Sequence, residues 1–491
     1  MTKADLLTLL KLDLESGNHS CDPMHLRIGK SLKKYILAGN VAEGEKLPSA
    51  RNIAQVLGVA RATVSRSLED LISSGFVEAI HGSGCFVKSD SPLDLTSFRS
   101  ARLVPASSVD LQKVLSDYGK KLLALPEERY DFCSPGFGGP ILSLAPFPVW
   151  TDLIQKHCRF RDMSKLQFKE SPFGFMPLRE AFASYLIRTR AARLTAEQVV
   201  VFSARELRFD LILKLLLVPG DYVAVENPSY PRIRNRIASY DANVYGVDVD
   251  QEGLIVDQLI KLDPSPKIVY VTPSHHEPTG AVLSMSRRQA LLAWASQKEV
   301  FIIEDDFDAD YRYSGRALPS LQGMDTWGRV IHLSCFWKVL APLSRLGFLV
   351  LPPGLIDLMK EAKSLVERDL PIVDQFALTD FINDGHLERY TRRARKLFAT
   401  RLEAAEIVLR KVFANRIWLA PESAATDILI RIESSFSDVQ IESIAGQLAL
   451  ELVSTHAYYL DGARRGEFLF PFANYAEAEL ETRLQRLADL L

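Results

Sequence analysis

The residues best placed to do chemistry lie between Val300 and Gly347, where carboxylates and a lysine follow short apolar runs. Val300-Phe301-Ile302-Ile303 has the length and composition of a buried strand in a parallel sheet, and it ends in Glu304-Asp305-Asp306. A second run, Val330-Ile331-His332-Leu333, leads through Ser334-Cys335-Phe336 to Trp337-Lys338. Ligands of open α/β sheets bind beyond the carboxyl ends of the strands. An acid on one strand end and an amine on another could therefore face one ligand, the acid holding a proton on a ring nitrogen and the amine forming a Schiff base. The plain alternative is an acidic loop and a surface lysine on a solvated face.

That pair meets the needs of pyridoxal phosphate, whose ring is an electron sink while a carboxylate keeps its nitrogen protonated and a lysine holds its aldehyde. Three further pieces bear on this choice. Glu226-Asn227-Pro228-Ser229-Tyr230-Pro231 and Thr272-Pro273-Ser274-His275-His276-Glu277-Pro278-Thr279-Gly280 precede the stretch, and Arg345 follows Lys338 by seven residues. In order and spacing these pieces resemble the aminotransferases of fold type I. The resemblance implies that Lys338 is the Schiff-base residue and that Asp305 pairs with the pyridinium nitrogen. It also implies that Tyr230 stacks on the ring and that Arg345 neutralises the phosphate. A phosphate-cradling turn falls at Phe202-Ser203-Ala204-Arg205-Glu206, where Ser203 and Arg205 would serve and Glu206 would repel if it pointed inward. Ser334 adds a hydroxyl, and Arg232, His276 and His456 are the candidates for holding an effector.

Several positions depart from that pattern. Phe307 stands where the family has a tyrosine two residues after the pyridine-binding Asp, Cys335 where a hydroxyl is usual, and Trp337 where a small residue adjoins the lysine. Glu277 replaces an aromatic or Asn. Ser454-Thr455-His456-Ala457-Tyr458-Tyr459 lacks the arginine that clamps a substrate α-carboxylate, leaving His456, Arg464 or Arg465 as substitutes. Efficient transamination is therefore not expected, and sensing is the expected use of the domain.

A chain of 491 residues holds two or three domains. Its net charge of -2 excludes a generally basic nucleic-acid coat but not a local basic face. Five scattered cysteines without a CxxC pair suggest neither a metal site nor a disulfide framework. No signal pattern or membrane span is seen, so a cytoplasmic location is expected.

Residues 1–22 read as a lead-in. From Pro23 to about residue 88, Ile28, Leu32, Tyr35 and Ile36 recur at helical spacing, and Ser49 caps a helix running to Leu57. Gly58 turns into a second helix from Arg61 to Ile72, and two short strands then flank His81-Gly82-Ser83-Gly84. The second helix of such a unit enters the major groove, where arginine and threonine near its start touch base edges and phosphates. LPSARNIAQVLGVARATVSRSLEDLISSGFVEAIHGSG resembles the winged helix of GntR-type regulators. The resemblance implies DNA contacts from Ser49, Arg51, Arg61, Thr63, Arg66, His81, Gly82 and Ser83.

Residues 89–129 read as a linker with a helix near Leu111–Leu123, and residues 130–491 alternate helical patterns with apolar runs. The expected fold is α/β: an N-terminal winged helix-turn-helix, then an aminotransferase-like domain with a mainly parallel sheet (about 130–354) and a small α+β portion (about 355–491). This combination resembles the MocR-type regulators. It implies a homodimer that binds double-stranded DNA at two half-sites and senses an amine or amino-acid-like effector through pyridoxal phosphate on Lys338. Two other readings stay open, a working aminotransferase with an accessory DNA-binding domain and a regulator whose C-terminal domain has lost the cofactor.

Overall fold

Leu6 and Leu10 stand one helical turn apart, so a helix there carries an apolar stripe. In the computed structural model of the chain they lie on α1 (Lys3–Glu15), almost wholly buried in the core of the N-terminal unit. Asp13 of the same helix accepts from Ser31 Oγ and Lys34 Nζ, both at 2.6 Å. Residues 3–15 of the supposed lead-in are thus part of the domain. The structure describes residues 3–15, 22–88, 111–124, 144–159, 171–307, 309–311, 318–340, 343–421, 426–462 and 464–491. It divides into two units, Met1–Val114 and Leu115–Leu491.

The first unit continues with α2 (Met24–Leu37), α3 (Ala50–Leu57) and α4 (Arg61–Ser73). The Ser49 side chain accepts the backbone N–H of Asn52 at 3.2 Å and so caps α3. Gly58 ends that helix at φ +65°, a conformation costly for any residue with a Cβ. Val64, Leu68 and Leu71 turn one face of α4 into the core, and Ser67 Oγ ties it to the His25 carbonyl of α2 at 2.8 Å. An antiparallel hairpin follows, β1 (Val77–Ile80) with β2 (Gly84–Val87), paired from Val77↔Val87 to Ile80↔Gly84.

Residues 89–110 and 125–129 of the expected linker lie outside the described residues. Between them α5 (Asp117–Ala124) belongs to the second unit, where Tyr118 packs 6.2 Å from the Tyr240 ring and Lys121 pairs with Asp241. The large domain therefore begins earlier than residue 130. It continues with α6 (Phe147–Cys158) and α7 (Met176–Arg190).

Eight strands follow: β3 (Val199–Phe202), β4 (Tyr222–Asn227), β5 (Asn243–Asp250), β6 (Gly253–Leu254), β7 (Ile268–Val271), β8 (Phe301–Asp305), β9 (Val330–Cys335) and β10 (Gly347–Val350). They form one sheet in the order β3-β10-β9-β8-β7-β4-β5-β6. Neighbours from β9 through to β5 run parallel, while β10 is antiparallel to both β9 and β3. Every residue of β3, β7, β9 and β10 is buried, which is why β3, β7 and β10 are continuous apolar runs and β9 departs from one only at His332 and Ser334. All residues of β5 but Val247 are exposed or half-exposed, and its sequence NVYGVDVD interleaves polar and apolar residues instead of forming such a run.

Helices α8 (Arg205–Leu216), α9 (Pro231–Ser239), α10 (Met285–Lys298) and α11 (Ile356–Val366) accompany this sheet. Met359 and Ile356 of α11 pack with Phe202, Leu333 and Leu349, so α11 belongs to the large sheet and the small portion begins after it. That portion contains α12 (Ile372–Asn383), α13 (His386–Phe413), α14 (Asp438–Gln447) and α15 (Glu477–Leu490). A four-stranded antiparallel sheet completes it, ordered β11-β12-β14-β13 with β11 (Ile417–Leu419), β12 (Ile428–Ile432), β13 (Val453–Ser454) and β14 (Glu467–Phe470).

Candidate functional site

The strand directions decide which residues share an edge. Because β10 is antiparallel to both its neighbours, β3 runs in the same direction as β9, and Gly347 faces both Phe202 and Cys335. The carboxyl ends of β3, β9, β8, β7 and β4 and the amino end of β10 thus lie along one border of the sheet. Ser203 follows β3, Arg345 precedes β10, Lys338 follows β9 and Asp305 closes β8. The Thr272–Gly280 segment follows β7 and Tyr230 follows β4. The fold brings to one border residues drawn from more than 140 positions of chain, Ser203 to Arg345.

The three consecutive acids have three different fates. Glu304 is wholly buried and accepts the N–H groups of Leu321 (2.7 Å) and Gln322 (3.0 Å) and His332 Nδ1 (3.0 Å). Burial pushes its carboxyl up, but His332 and the amide donors outweigh that and hold it below the usual range. Asp306 is gripped by Arg190, Nε to Oδ2 at 2.7 Å and Nη2 to Oδ1 at 2.9 Å, a buried bidentate pair. Asp305 is half-buried at the strand end and accepts the hydroxyl of Tyr270 at 2.6 Å. Burial and the Asp305 charge push the Tyr270 hydroxyl well above its ordinary value, so it remains a donor.

Lys338 is half-buried, and its Nζ donates to Thr426 Oγ1 at 2.8 Å. Thr426 Oγ1 donates in turn to Asp427 Oδ2 at 2.8 Å, and both residues lead into β12 of the smaller sheet. The lysine therefore bridges the two sheets. Glu277 accepts from Tyr458 Oη at 2.8 Å, and the Tyr230 and Tyr458 rings lie 6.4 Å apart, a second link between the same two layers.

Other expected residues fall differently. His276 is buried, with Nδ1 2.7 Å from Thr279 Oγ1 and Nε2 donating to the Pro228 carbonyl at 3.0 Å. Burial lowers it to about 4 and keeps the ring neutral. Both ring nitrogens thus hold the Pro228 and Thr279 turns together. Arg232 is half-buried at the start of α9 and His456 is exposed. Arg464 lies 3.9 Å from Glu467, and Arg465 donates to the Ser435 carbonyl at 2.8 Å. Glu467 itself is wholly buried between Arg431 (3.0 Å), Tyr459 (2.7 Å) and Thr455 (2.9 Å), so the segment that lacks a clamping arginine is built around an acid.

Arg345 is exposed, Ser334 is buried within β9 with its carbonyl accepting from Arg208, and Phe307 offers no donor. The side chains of Arg205 and Trp337 lie outside the described ones. The Ser203 N–H and hydroxyl are engaged by Glu367, which nothing in the sequence signalled. Tyr270, Thr426 and Asp427 were likewise missed: Tyr270 sits inside an apolar run and reads as core, and a Thr-Asp pair carries no motif.

In the first unit Arg61 and Arg66 are exposed on α4 and Thr63 is half-buried beside them. Arg51 is exposed on α3. His81, Gly82 and Ser83 form the exposed hairpin tip, where Gly82 takes φ +75°. Ser49 is committed to its cap.

Residues 25–87 match the family of bacterial regulatory proteins of gntR type, and residues 142–410 match aminotransferase class I and II. The chain is 31% identical over 85% of its length, and 83% of the relative's, to the probable rhizopine catabolism regulatory protein MocR of Rhizobium meliloti. It belongs to the MocR-type regulators of the GntR family. It is 28% identical to the HTH-type transcriptional regulator TauR of Rhodobacter capsulatus, over 95% of this chain and 96% of that one. In fold it is similar to kynurenine aminotransferase of Pyrococcus horikoshii, with a TM-score of 0.69 at 24% identity over 77% of this chain and 97% of that one. As a MocR-type regulator it is a transcription regulator with an aminotransferase-like domain, and GntR-type helix-turn-helix units bind DNA. No helix among the described residues is long and apolar enough to cross a membrane.

Proposed function

We propose that this regulator binds pyridoxal phosphate on the border described above and senses an amine or amino-acid-like effector by covalent exchange at Lys338. The observation that carries this reading is the pairing of Asp305 and Lys338 at the carboxyl ends of adjacent parallel strands. The residues present fit the group: Asp305 is a carboxylate held by a buried tyrosine, Lys338 is a half-buried amine, and the turn at Ser203 grips a carboxylate as it would a phosphate oxygen. Asp305 would hold a proton at the ring nitrogen, Tyr230 would cover the ring, and Arg345 with Ser203 and Arg205 would meet the phosphate. When bound, pyridoxal phosphate supplies an aldehyde carbon for which Lys338 and an incoming primary amine compete.

The coupling follows from Thr426. A displaced Lys338 amine has Thr426, backed by Asp427, to donate to on the small-sheet side. The contact between the two sheets then differs with and without effector, and a ligand that favours one arrangement changes DNA affinity by linkage. The protein acts as a homodimer whose winged helices read two half-sites, with Arg51, Arg61, Thr63, Arg66 and the tip at His81–Ser83 against DNA. Phe307 and the absence of a clamping arginine favour sensing over turnover.

The test is the absorbance spectrum of the purified protein with pyridoxal phosphate and candidate amines, read beside a gel shift on its own upstream DNA. Lys338→Ala is expected to lose the visible absorbance and the effector response while still binding DNA. An effector response that persists in this variant removes Lys338 as the sensor.

A further inference from the structure

The turn after β3 already holds an anion, and it belongs to the chain itself. Glu367 stands one residue past α11, and its Oε1 and Oε2 accept the Ser203 backbone N–H at 3.1 and 3.3 Å. The Ser203 hydroxyl donates to the same Oε1. On the far side of that carboxylate is Lys363, whose Nζ lies 3.1 Å from Oε2 and also donates to the Glu367 carbonyl at 3.0 Å. The Lys363 side chain is wholly buried, with Nζ 4.9 Å from the centre of the Phe202 ring, and Phe202 is the residue before Ser203. The Glu367 side chain is only 10% exposed.

A buried ammonium requires an anion beside it, and the Ser203 N–H and hydroxyl, in the turn just before α8, together offer donors to one. The Glu367 carboxylate meets both demands at once. A phosphate monoester meets them better, because it carries more charge and more acceptor oxygens than a carboxylate. We propose that a ligand phosphate takes the place of the Glu367 carboxylate between Ser203 and Lys363. Lys363 is then a phosphate-binding residue, and Glu367 is an internal competitor of the ligand. This rests on the reading that the border binds pyridoxal phosphate. It has a mechanical corollary, because Glu367 opens the five-residue segment 367–371 that joins α11 to α12. Ligand entry would therefore release a tether between the large sheet and the helices of the small portion.

The experiment uses the full chain as wild type, Glu367→Gln, Lys363→Met and the double variant, each checked for an unchanged circular dichroism spectrum. Pyridoxal phosphate affinity is read by absorbance titration and inorganic phosphate affinity by the shift in melting temperature. Glu367→Gln is expected to bind both about tenfold more tightly, the scale of one charge-assisted contact. Lys363→Met is expected to bind both at least about tenfold more weakly. The double variant removes the charge pair together, so that neither partner is left buried alone, and it should bind phosphate more weakly than Glu367→Gln. Equal affinities in wild type and Glu367→Gln overturn the proposal and leave the cofactor reading intact. A double variant that binds as tightly as Glu367→Gln removes Lys363 from the cradle and overturns it as well. Failure of pyridoxal phosphate to bind any form, with phosphate still favouring Glu367→Gln, sinks the cofactor reading and keeps the cradle.

Discussion

Tyr270 donates its hydroxyl to Asp305 Oδ2 at 2.6 Å, from the strand next to the one that carries the acid. Of three consecutive carboxylates, Asp305 alone is turned to this donor, while Glu304 and Asp306 are spent on His332 and Arg190. The bond fixes the carboxylate's orientation. Tyr270→Phe is expected to weaken pyridoxal phosphate binding about tenfold, the scale of one charged hydrogen bond, and Asp305→Asn to weaken it further. Absorbance titration checks both, and an unchanged affinity in Tyr270→Phe would separate this tyrosine from the site.

Arg61 opens α4 on its exposed face, where a recognition helix meets base edges. Arg61→Ala is expected to lower specific operator affinity by about 1–3 kcal/mol while leaving cofactor absorbance unchanged. Footprinting on the natural upstream DNA decides it, and a retained footprint assigns recognition elsewhere.

The Arg190–Asp306 pair is buried and bidentate, with Arg190 also donating to Ser274. Removing one member leaves an uncompensated buried charge, so Arg190→Met should destabilise the second unit by about 3–5 kcal/mol. Urea denaturation of the variant measures this directly. A loss near zero would mean that water reaches Asp306.

Glu226 lies at the end of β4, 3% exposed, accepting from the Thr272 N–H (2.9 Å) and hydroxyl (2.6 Å). Burial, opposed by those donors, raises its carboxyl to about 7. A carboxyl raised on folding contributes stability below its unfolded value near 4.5, and that contribution is lost as pH rises through about 7. Glu226→Gln keeps both accepted bonds without the charge. It should be more stable than wild type at pH 8, by on the order of 1–3 kcal/mol, and nearly equal below about pH 4.5. Parallel urea curves with no pH-dependent gap would place the charge on another group.

Much of this molecule is legible in its sequence. The helix-turn-helix, its glycine turn and its hairpin are local, because each depends on periodicity and turn chemistry within about twenty residues. The apolar runs that became β3, β7, β8, β9 and β10 were visible for the same reason, since strands buried on both faces are apolar throughout. Asp305 and Lys338 stood out because they follow such runs, two residues past Ile303 and five past Leu333.

Distance along the chain hid the rest. Helix α1 and the linker helix α5 join their units through contacts that periodicity does not announce, Leu10 in one core and Tyr118 on Tyr240 in the other unit. The sequence alone determined which chemical groups are available and that parallel strands would present some of them at one border. Tertiary structure alone decided their partners. It turned Asp305 toward Tyr270, set Lys338 on Thr426, consumed His276 in a turn and laid Glu367 on Ser203. A buried polar atom takes whichever partner packing brings within about 3 Å, and that partner can come from anywhere in the chain.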